Sequence, residues 1–78
     1  MRWRECRGPH YGKTRQSHFL IAEGYAIVPQ WAEFLASTIV SYAVYDPSGV
    51  YLRAVEDLEY AKRIAREHRK RVMARLAA

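Results

Sequence analysis

Six Lys or Arg side chains lie within eleven residues, KRIAREHRKRV, at residues 62–72. Cations at this density attract phosphates or carboxylates, so the chemistry that they offer is anion recognition. At the angular spacing of an α-helix, five of them fall within about 120° of one helical side, next to an apolar stripe. The alternative is that they form only the solvated side of a surface helix. We name these five residues the cationic flank: Lys62, Arg63, Arg66, Arg69 and Lys70.

A second basic group lies at the N-terminus, in the stretch RWRECR. Trp3 stands between Arg2 and Arg4, and Trp and Arg are the side chains that most often anchor protein contacts or stack on bases. This pattern predicts that Arg2, Trp3 and Arg4 contact a partner. The alternatives are a disordered leader, or a Trp3 side chain that folds back onto the core.

Catalytic and metal-binding patterns are weak. The stretch GPHYGKT, at residues 8–14, has three residues between its glycines, where the phosphate-binding loop of nucleotide hydrolases needs four. Cys6, His10 and His18 are possible metal ligands, but they lack the paired spacing of a zinc site. We therefore predict a protein without a metal, a cofactor or a catalytic residue, and not an enzyme.

One histidine and three carboxylates have structural explanations. His68 lies beside the apolar stripe of the basic helix, so we predict a packed or hydrogen-bonded side chain and not a catalytic base. Glu56, Asp57 and Glu59 lie in the first turn of that helix, where negative charge complements the helix dipole.

The 78 residues and their charge distribution indicate one small domain. Residues 1–18 and 53–78 each carry a formal charge of +4, whereas residues 19–52 contain no Lys or Arg and carry −3. We predict an irregular basic segment over residues 1–17 and one domain over residues 18–78. Because no apolar run reaches about 20 residues and the N-terminus is charged, we expect a soluble, cytoplasmic protein without a membrane partner.

The middle of the chain predicts short strands. Residues 18–28 form two apolar runs around Glu23 and Gly24, which favours a hairpin, with a buried helical turn as the alternative. Pro29 and the spacing of apolar residues predict a short helix near residues 30–36, and residues 29–42 are either helix then strand or one helix. DPSG, at residues 46–49, predicts a hairpin between residues 38–45 and 50–55.

The C-terminal region predicts one long helix. Its apolar stripe recurs at helical spacing, with acidic residues in the first turn and Arg71 and Arg75 in the last turns. The stripe consists of Leu58, Ala61, Ala65, Val72 and Leu76. The fold class that follows is α+β: a small antiparallel β-sheet of one or two hairpins packed against this helix.

Six tyrosines raise the possibility of self-association. Tyr42, Tyr45 and Tyr51 lie on the second predicted hairpin, and alternation along the strand makes both sheet faces fairly apolar. One face covers the helix, and the other is available to a second copy in a homodimer. The alternative is that so thin a domain needs both faces for its own core.

The stretch YDPSGVYLRAVEDLEYAKRIA, residues 45–65, resembles a hairpin-then-helix unit of small phage proteins. With its size and absence of catalytic residues, the chain resembles the anti-CRISPR proteins of phages and mobile elements. That resemblance implies a non-enzymatic inhibitor that docks on a CRISPR effector and blocks DNA binding or cleavage by steric occlusion. For a basic chain it implies contact with an acidic protein patch or the guide RNA. The alternative function is a sequence-indifferent nucleic-acid binder that uses the same cations on phosphates.

Overall fold

Five β-strands and one α-helix make up the part of the chain that the computed structural model describes, residues 1–8, 17–32 and 35–77. The strands form one antiparallel sheet in chain order, each next to its neighbour in sequence. The α+β class, with a long C-terminal helix on a small sheet, is therefore confirmed. The elements are β1 Arg4–Gly8, β2 Ser17–Ala22, β3 Tyr25–Ala32, β4 Leu35–Tyr45, β5 Tyr51–Val55 and α1 Leu58–Ala77.

The turn between β2 and β3 confirms the first predicted hairpin. Glu23 and Gly24 have φ values of 50° and 86°, the left-handed conformation that a two-residue turn needs to match the twist of its strands. Ala22 pairs with Tyr25 directly across this turn. A Cβ atom on Gly24 would lie 2.9 Å from the Cβ of Pro47, so this turn packs closely against the turn between β4 and β5.

The DPSG turn confirms the second predicted hairpin. The Oδ1 atom of Asp46 accepts hydrogen bonds from the backbone N–H groups of Ser48 and Val50, each at 2.9 Å. Gly49 has a φ of 84° and its N–H donates to the Asp46 carbonyl at 2.9 Å. The carboxylate therefore substitutes for backbone acceptors in the turn, as Asp does at the first position of such turns.

The prediction of an irregular segment over residues 1–17 is wrong for residues 4–8. These residues form β1, which pairs with β2 from Arg4 opposite Ile21 to Gly8 opposite Ser17. Their local sequence has little strand preference, and pairing with the apolar β2 decides their conformation. Residues 9–16 of the predicted segment lie outside the described residues.

The predicted short helix near residues 30–36 is also wrong. Residues 30–32 belong to β3 and residues 35–36 to β4, and residues 33–34 lie outside the described part. An apolar spacing of three and four over so few residues does not distinguish a helix from a strand. Pro29 lies in β3 opposite Tyr42 of β4, beyond Ile27, where the ladder with β2 ends.

One buried cluster lies between a sheet face and α1, which contacts β3, β4 and β5. Alternation along the strands turns Ile27 and Val44, which pair across the ladder, towards the helix. Ala61 and Ala65 are fully buried, and their small side chains allow the helix to approach the sheet closely. The buried cluster consists of Tyr25, Ile27, Val44, Val55, Ala61 and Ala65.

The helix is capped at its start and leaves the sheet at its end. The Asp57 carboxylate accepts a hydrogen bond from the Tyr60 N–H at 3.0 Å, the geometry of an N-cap. Val72 is half-buried, and every residue from 73 to 77 is exposed. The predicted apolar stripe is therefore buried over its first half only, and its last member, Leu76, extends into solvent.

Candidate binding surfaces of the C-terminal helix

The cationic flank lies beside the buried alanines of α1 and turns towards solvent. Arg63, Arg66 and Lys70 are exposed, whereas Lys62 and Arg69 are half-buried. The two half-buried members lie nearer to the sheet because they are closer in helical angle to Ala65. The structure thus brings all five predicted residues onto one side of the helix, in a row from the sheet border to the outer surface.

Three of the five cations of the flank form ion pairs within the chain. Arg66 and Lys70 form none with the described residues, so these two exposed side chains are the main uncompensated charges of the flank. The ion pairs of the other three cations are at the surface and each contributes about 1 kcal/mol or less to stability, so a partner can displace them. The pairs are Lys62 Nζ with Glu59 Oε1 at 3.6 Å, Arg63 Nε with Glu67 Oε1 at 3.9 Å, and Arg69 Nη2 with Glu23 Oε1 at 3.1 Å.

Two exposed apolar side chains continue the flank towards the C-terminus. Met73 is 52% exposed and Leu76 is 77% exposed. Met73 follows Lys70 by three residues and Arg66 by seven, and Leu76 follows Arg69 by seven, so both share the side of the helix that the cations occupy. Cationic and apolar groups therefore form one continuous surface.

The three predicted N-terminal contact residues have different environments in the fold. Trp3 packs against the buried cluster, and its Nε1 is buried with no hydrogen-bond partner among the described residues. Arg2 and Arg4 are exposed on either side of it. Trp3 thus takes the folded-back position that was the alternative to a partner contact, and the two arginines remain available.

A pocket with a volume of about 290 Å³ lies between β5 and α1, on the helical side away from the cationic flank. No pattern in the sequence predicted this pocket. Arg53 could have indicated it. This cation lies two residues before Val55 and pairs with Val44, so it shares the sheet face of these two core residues, which the helix covers. The side chains that line the pocket are Leu52, Arg53, Tyr60, Ile64, Glu67, His68 and Arg71.

His68 is hydrogen-bonded, as the sequence predicted. Its Nδ1 lies 2.7 Å from the Tyr25 hydroxyl, and the two rings meet edge to face at 5.6 Å between centroids. Burial raises the pKa of Tyr25, with a further rise from the charge of Asp46 that Arg69 opposes. The hydroxyl therefore keeps its proton in the neutral range and links β3 to the middle of the helix.

Two of the three possible metal ligands in the sequence, Cys6 and His18, lie on the paired strands β1 and β2. Cys6 is half-buried in β1 and pairs with Phe19, while His18 pairs with Arg7. Within the described residues no group of three or more His, Cys, Asp or Glu side chains is suited to hold a metal ion. His10 and residues 9–14 of the glycine-flanked stretch lie outside the described residues.

The tyrosines of the second hairpin do not share one surface. Tyr42 packs against the buried cluster on the helix side of the sheet. Tyr45 meets Tyr51 edge to face, with 5.8 Å between ring centroids, beside the DPSG turn. Val50 and Tyr51 are the exposed apolar groups there, so the tyrosine-rich sheet predicted for a homodimer is reduced to the tip of this hairpin.

The chain matches none of the protein-family models, curated proteins and solved structures with which it was compared. In the described part of the chain, no helix combines the length and the apolar character that crossing a bilayer requires.

Proposed function

We propose that the protein is a non-enzymatic inhibitor that binds an acidic surface of a protein partner through the cationic flank and the exposed end of α1. Arg66 and Lys70 supply the charge, and Met73 and Leu76 supply the apolar contacts. Arg2 and Arg4 add charge at the other end of the chain. Partner binding of this kind needs no catalytic group and no cofactor.

The observation that carries the proposal is the exposure of Met73 and Leu76 on the side of the helix that holds the cations. Interfaces between proteins combine Arg and Met with a desolvated apolar centre, whereas phosphate backbones are contacted chiefly through charge and hydrogen bonds. A helix end that extends beyond the sheet also fits a groove, as amphipathic helices do in complexes. Both features favour a protein partner over a nucleic acid.

The resemblance to anti-CRISPR proteins gives the partner to test first, a CRISPR effector complex in the host-cell cytoplasm. For a basic chain, that resemblance implies contact with an acidic protein patch of the effector complex or with its guide RNA. Docking of a 9.1 kDa domain over such a surface hinders access of target DNA by occlusion alone.

Measurement of target-DNA binding by a purified effector complex, with and without the protein, tests this function. We expect the wild-type protein to reduce DNA binding, and the R66E/K70E variant to lose that effect. R75E is the matched control, because Arg75 is exposed on another side of the same helix and forms no ion pair with the described residues. Equal activity of all three proteins, or inhibition by none of them, would contradict the proposal.

The alternative function is sequence-indifferent nucleic-acid binding through the same helix. The three outermost cations, Arg63, Arg66 and Lys70, span about 10 Å along the axis, which allows them to meet successive phosphates. This function predicts a gel shift of both DNA and RNA that weakens steeply as salt rises. We expect no such shift at physiological ionic strength, and a strong one would favour the alternative.

A further inference from the structure

The pocket between β5 and α1 contains two arginines, Arg53 and Arg71. Arg53 and Arg71 form no ion pair with the described residues, although both line the pocket. Glu67 is the one acidic side chain among the lining residues, and its carboxylate pairs with Arg63, which does not line the pocket. The pocket therefore keeps a positive charge.

Arg53 is held in place by Tyr60. Its Nη1 donates a hydrogen bond to the Tyr60 hydroxyl at 3.3 Å, and its guanidinium carbon lies 5.4 Å from the centre of the Tyr60 ring. The ring attracts the cation, and the hydrogen bond uses only one of its N–H groups, so others can donate to a ligand. The strand therefore presents an oriented donor to a ligand in the pocket.

His68 supplies a second oriented donor. Tyr25 is only 3% exposed, and its hydroxyl has no other acceptor among the described residues, so it donates to the Nδ1 of His68. The neutral imidazole then carries its proton on Nε2, the nitrogen on the far side of the ring from Tyr25. That N–H is left for a ligand.

The remaining lining is apolar. Leu52 and Ile64 line the pocket together with the Tyr60 ring, and a volume of about 290 Å³ exceeds what a bare oxyanion fills. The ligand that suits this lining has an anionic head and a compact organic body. A phosphate group offers more acceptor oxygens than a carboxylate, which matches donors that come from both β5 and α1.

We propose that this pocket binds a small phosphate monoester, with the phosphate on Arg53, His68 and Arg71 and the organic group against Leu52, Tyr60 and Ile64. The site lies on the side of α1 away from the cationic flank. Its ligand is therefore separate from the proposed protein partner, and either proposal can fail without the other.

Titration of the whole chain with phenyl phosphate, followed by NMR, tests this proposal. We expect saturable shifts at the His68 ring and at the Arg53 and Arg71 side chains, and none at Arg66. Inorganic phosphate should bind more weakly because it lacks the organic group, and benzoate should bind more weakly by roughly tenfold or more because it lacks the third oxygen. Absence of saturable binding, or equal affinity for benzoate, would overturn the proposal.

Two variants locate the site by calorimetric titration with the same ligand. R53Q should weaken phenyl phosphate binding by roughly tenfold or more, because it removes both the charge and the planar fork of N–H donors. R53K, which keeps the charge without the fork, should lose most of that affinity as well. R75Q is the control outside the pocket and should bind as the wild type does, whereas a loss equal to that of R53Q would show attraction by net charge alone and would overturn the proposal.

Discussion

At several positions the surrounding fold restricts the backbone conformation, the packing or the hydrogen bonding of a single residue. Gly24 holds a left-handed backbone and also touches Pro47, whereas Gly49 holds the same conformation in open space. Tyr25 is buried and directs its hydroxyl to one acceptor, His68. These contrasts allow single substitutions to separate conformational strain, packing and hydrogen bonding.

Gly24→Ala should destabilise the protein more than Gly49→Ala. Both substitutions place a Cβ on a left-handed residue, which costs about 1–2 kcal/mol. At Gly24 the new atom would also overlap the Pro47 ring, which adds about 1–3 kcal/mol of overpacking. The free energies of unfolding in urea give the comparison, and equal losses would show that the two turns do not pack as described.

Tyr25→Phe should lower the free energy of unfolding by about 1–3 kcal/mol at neutral pH, because the Nδ1 of His68 loses its partner. Tyr51→Phe is the control, since Tyr51 is exposed and its ring contact with Tyr45 does not need the hydroxyl. We expect that control to change stability by no more than about 0.5 kcal/mol.

The stability loss caused by Tyr25→Phe should depend on pH. Because burial raises the Tyr25 pKa above its ordinary value of 10.0, the folded chain holds this proton more tightly than the unfolded chain does. The stabilisation is complete below pH 10.0 and is lost as the pH rises through the folded pKa. The stability difference between wild type and Tyr25→Phe should therefore shrink in alkaline urea titrations, and a difference that grows would contradict this assignment.

At the scale of elements, the helix docks through two alanines. Ala65 is fully buried against the sheet, whereas Ala74 is exposed on the part of the helix that extends past it. Close approach of the helix backbone therefore depends on side-chain size over a few residues only. The exposed end owes its helical conformation to local propensity and to the turns that precede it.

Ala65→Leu should destabilise the fold by about 1–3 kcal/mol because it forces the helix away from the strands. Ala74→Leu makes the same change on the same helix and should alter stability by no more than about 0.5 kcal/mol. Thermal unfolding of the two variants gives the comparison. A similar loss in both would mean that the C-terminal end of the helix is also packed.

Sequence predicted the elements whose signals are local. The DPSG turn, the Glu23–Gly24 turn and the long helix each depend on residues close together in the chain, and all three are confirmed. The strand conformation of residues 4–8, 30–32 and 35–36 was missed because non-local ladder pairing determines it. The Arg53 pocket was missed for the same reason, since the strand register turns this cation towards the helix.

At the scale of the whole molecule, positive charge and apolar exposure meet at one end of the helix. The sheet contributes few exposed apolar groups in the described part of the chain, chiefly at the tip of the second hairpin. The tyrosines that suggested self-association are distributed between the core, an edge contact and solvent. We therefore expect the helix to be the principal surface for partners.

The protein should be a monomer of 9.1 kDa in sedimentation at about 50 μM, since the exposed hairpin tip is far smaller than the interface of a stable dimer. The control is Tyr51→Ser, which should sediment identically. A dimer that dissociates in Tyr51→Ser would contradict this prediction and would restore the homodimer hypothesis.

The dissociation constant of the complex between this protein and a CRISPR effector, measured for two kinds of flank variant, tests the central claim most directly. The variants are R66Q/K70Q and M73S/L76S, whose substituted side chains are all exposed, so both should fold as the wild type does. We predict that each weakens binding by roughly tenfold or more, because a protein groove uses both the charge and the apolar contacts. If M73S/L76S binds as tightly as the wild type while R66Q/K70Q does not, charge alone directs the contact and the proposed protein interface is wrong.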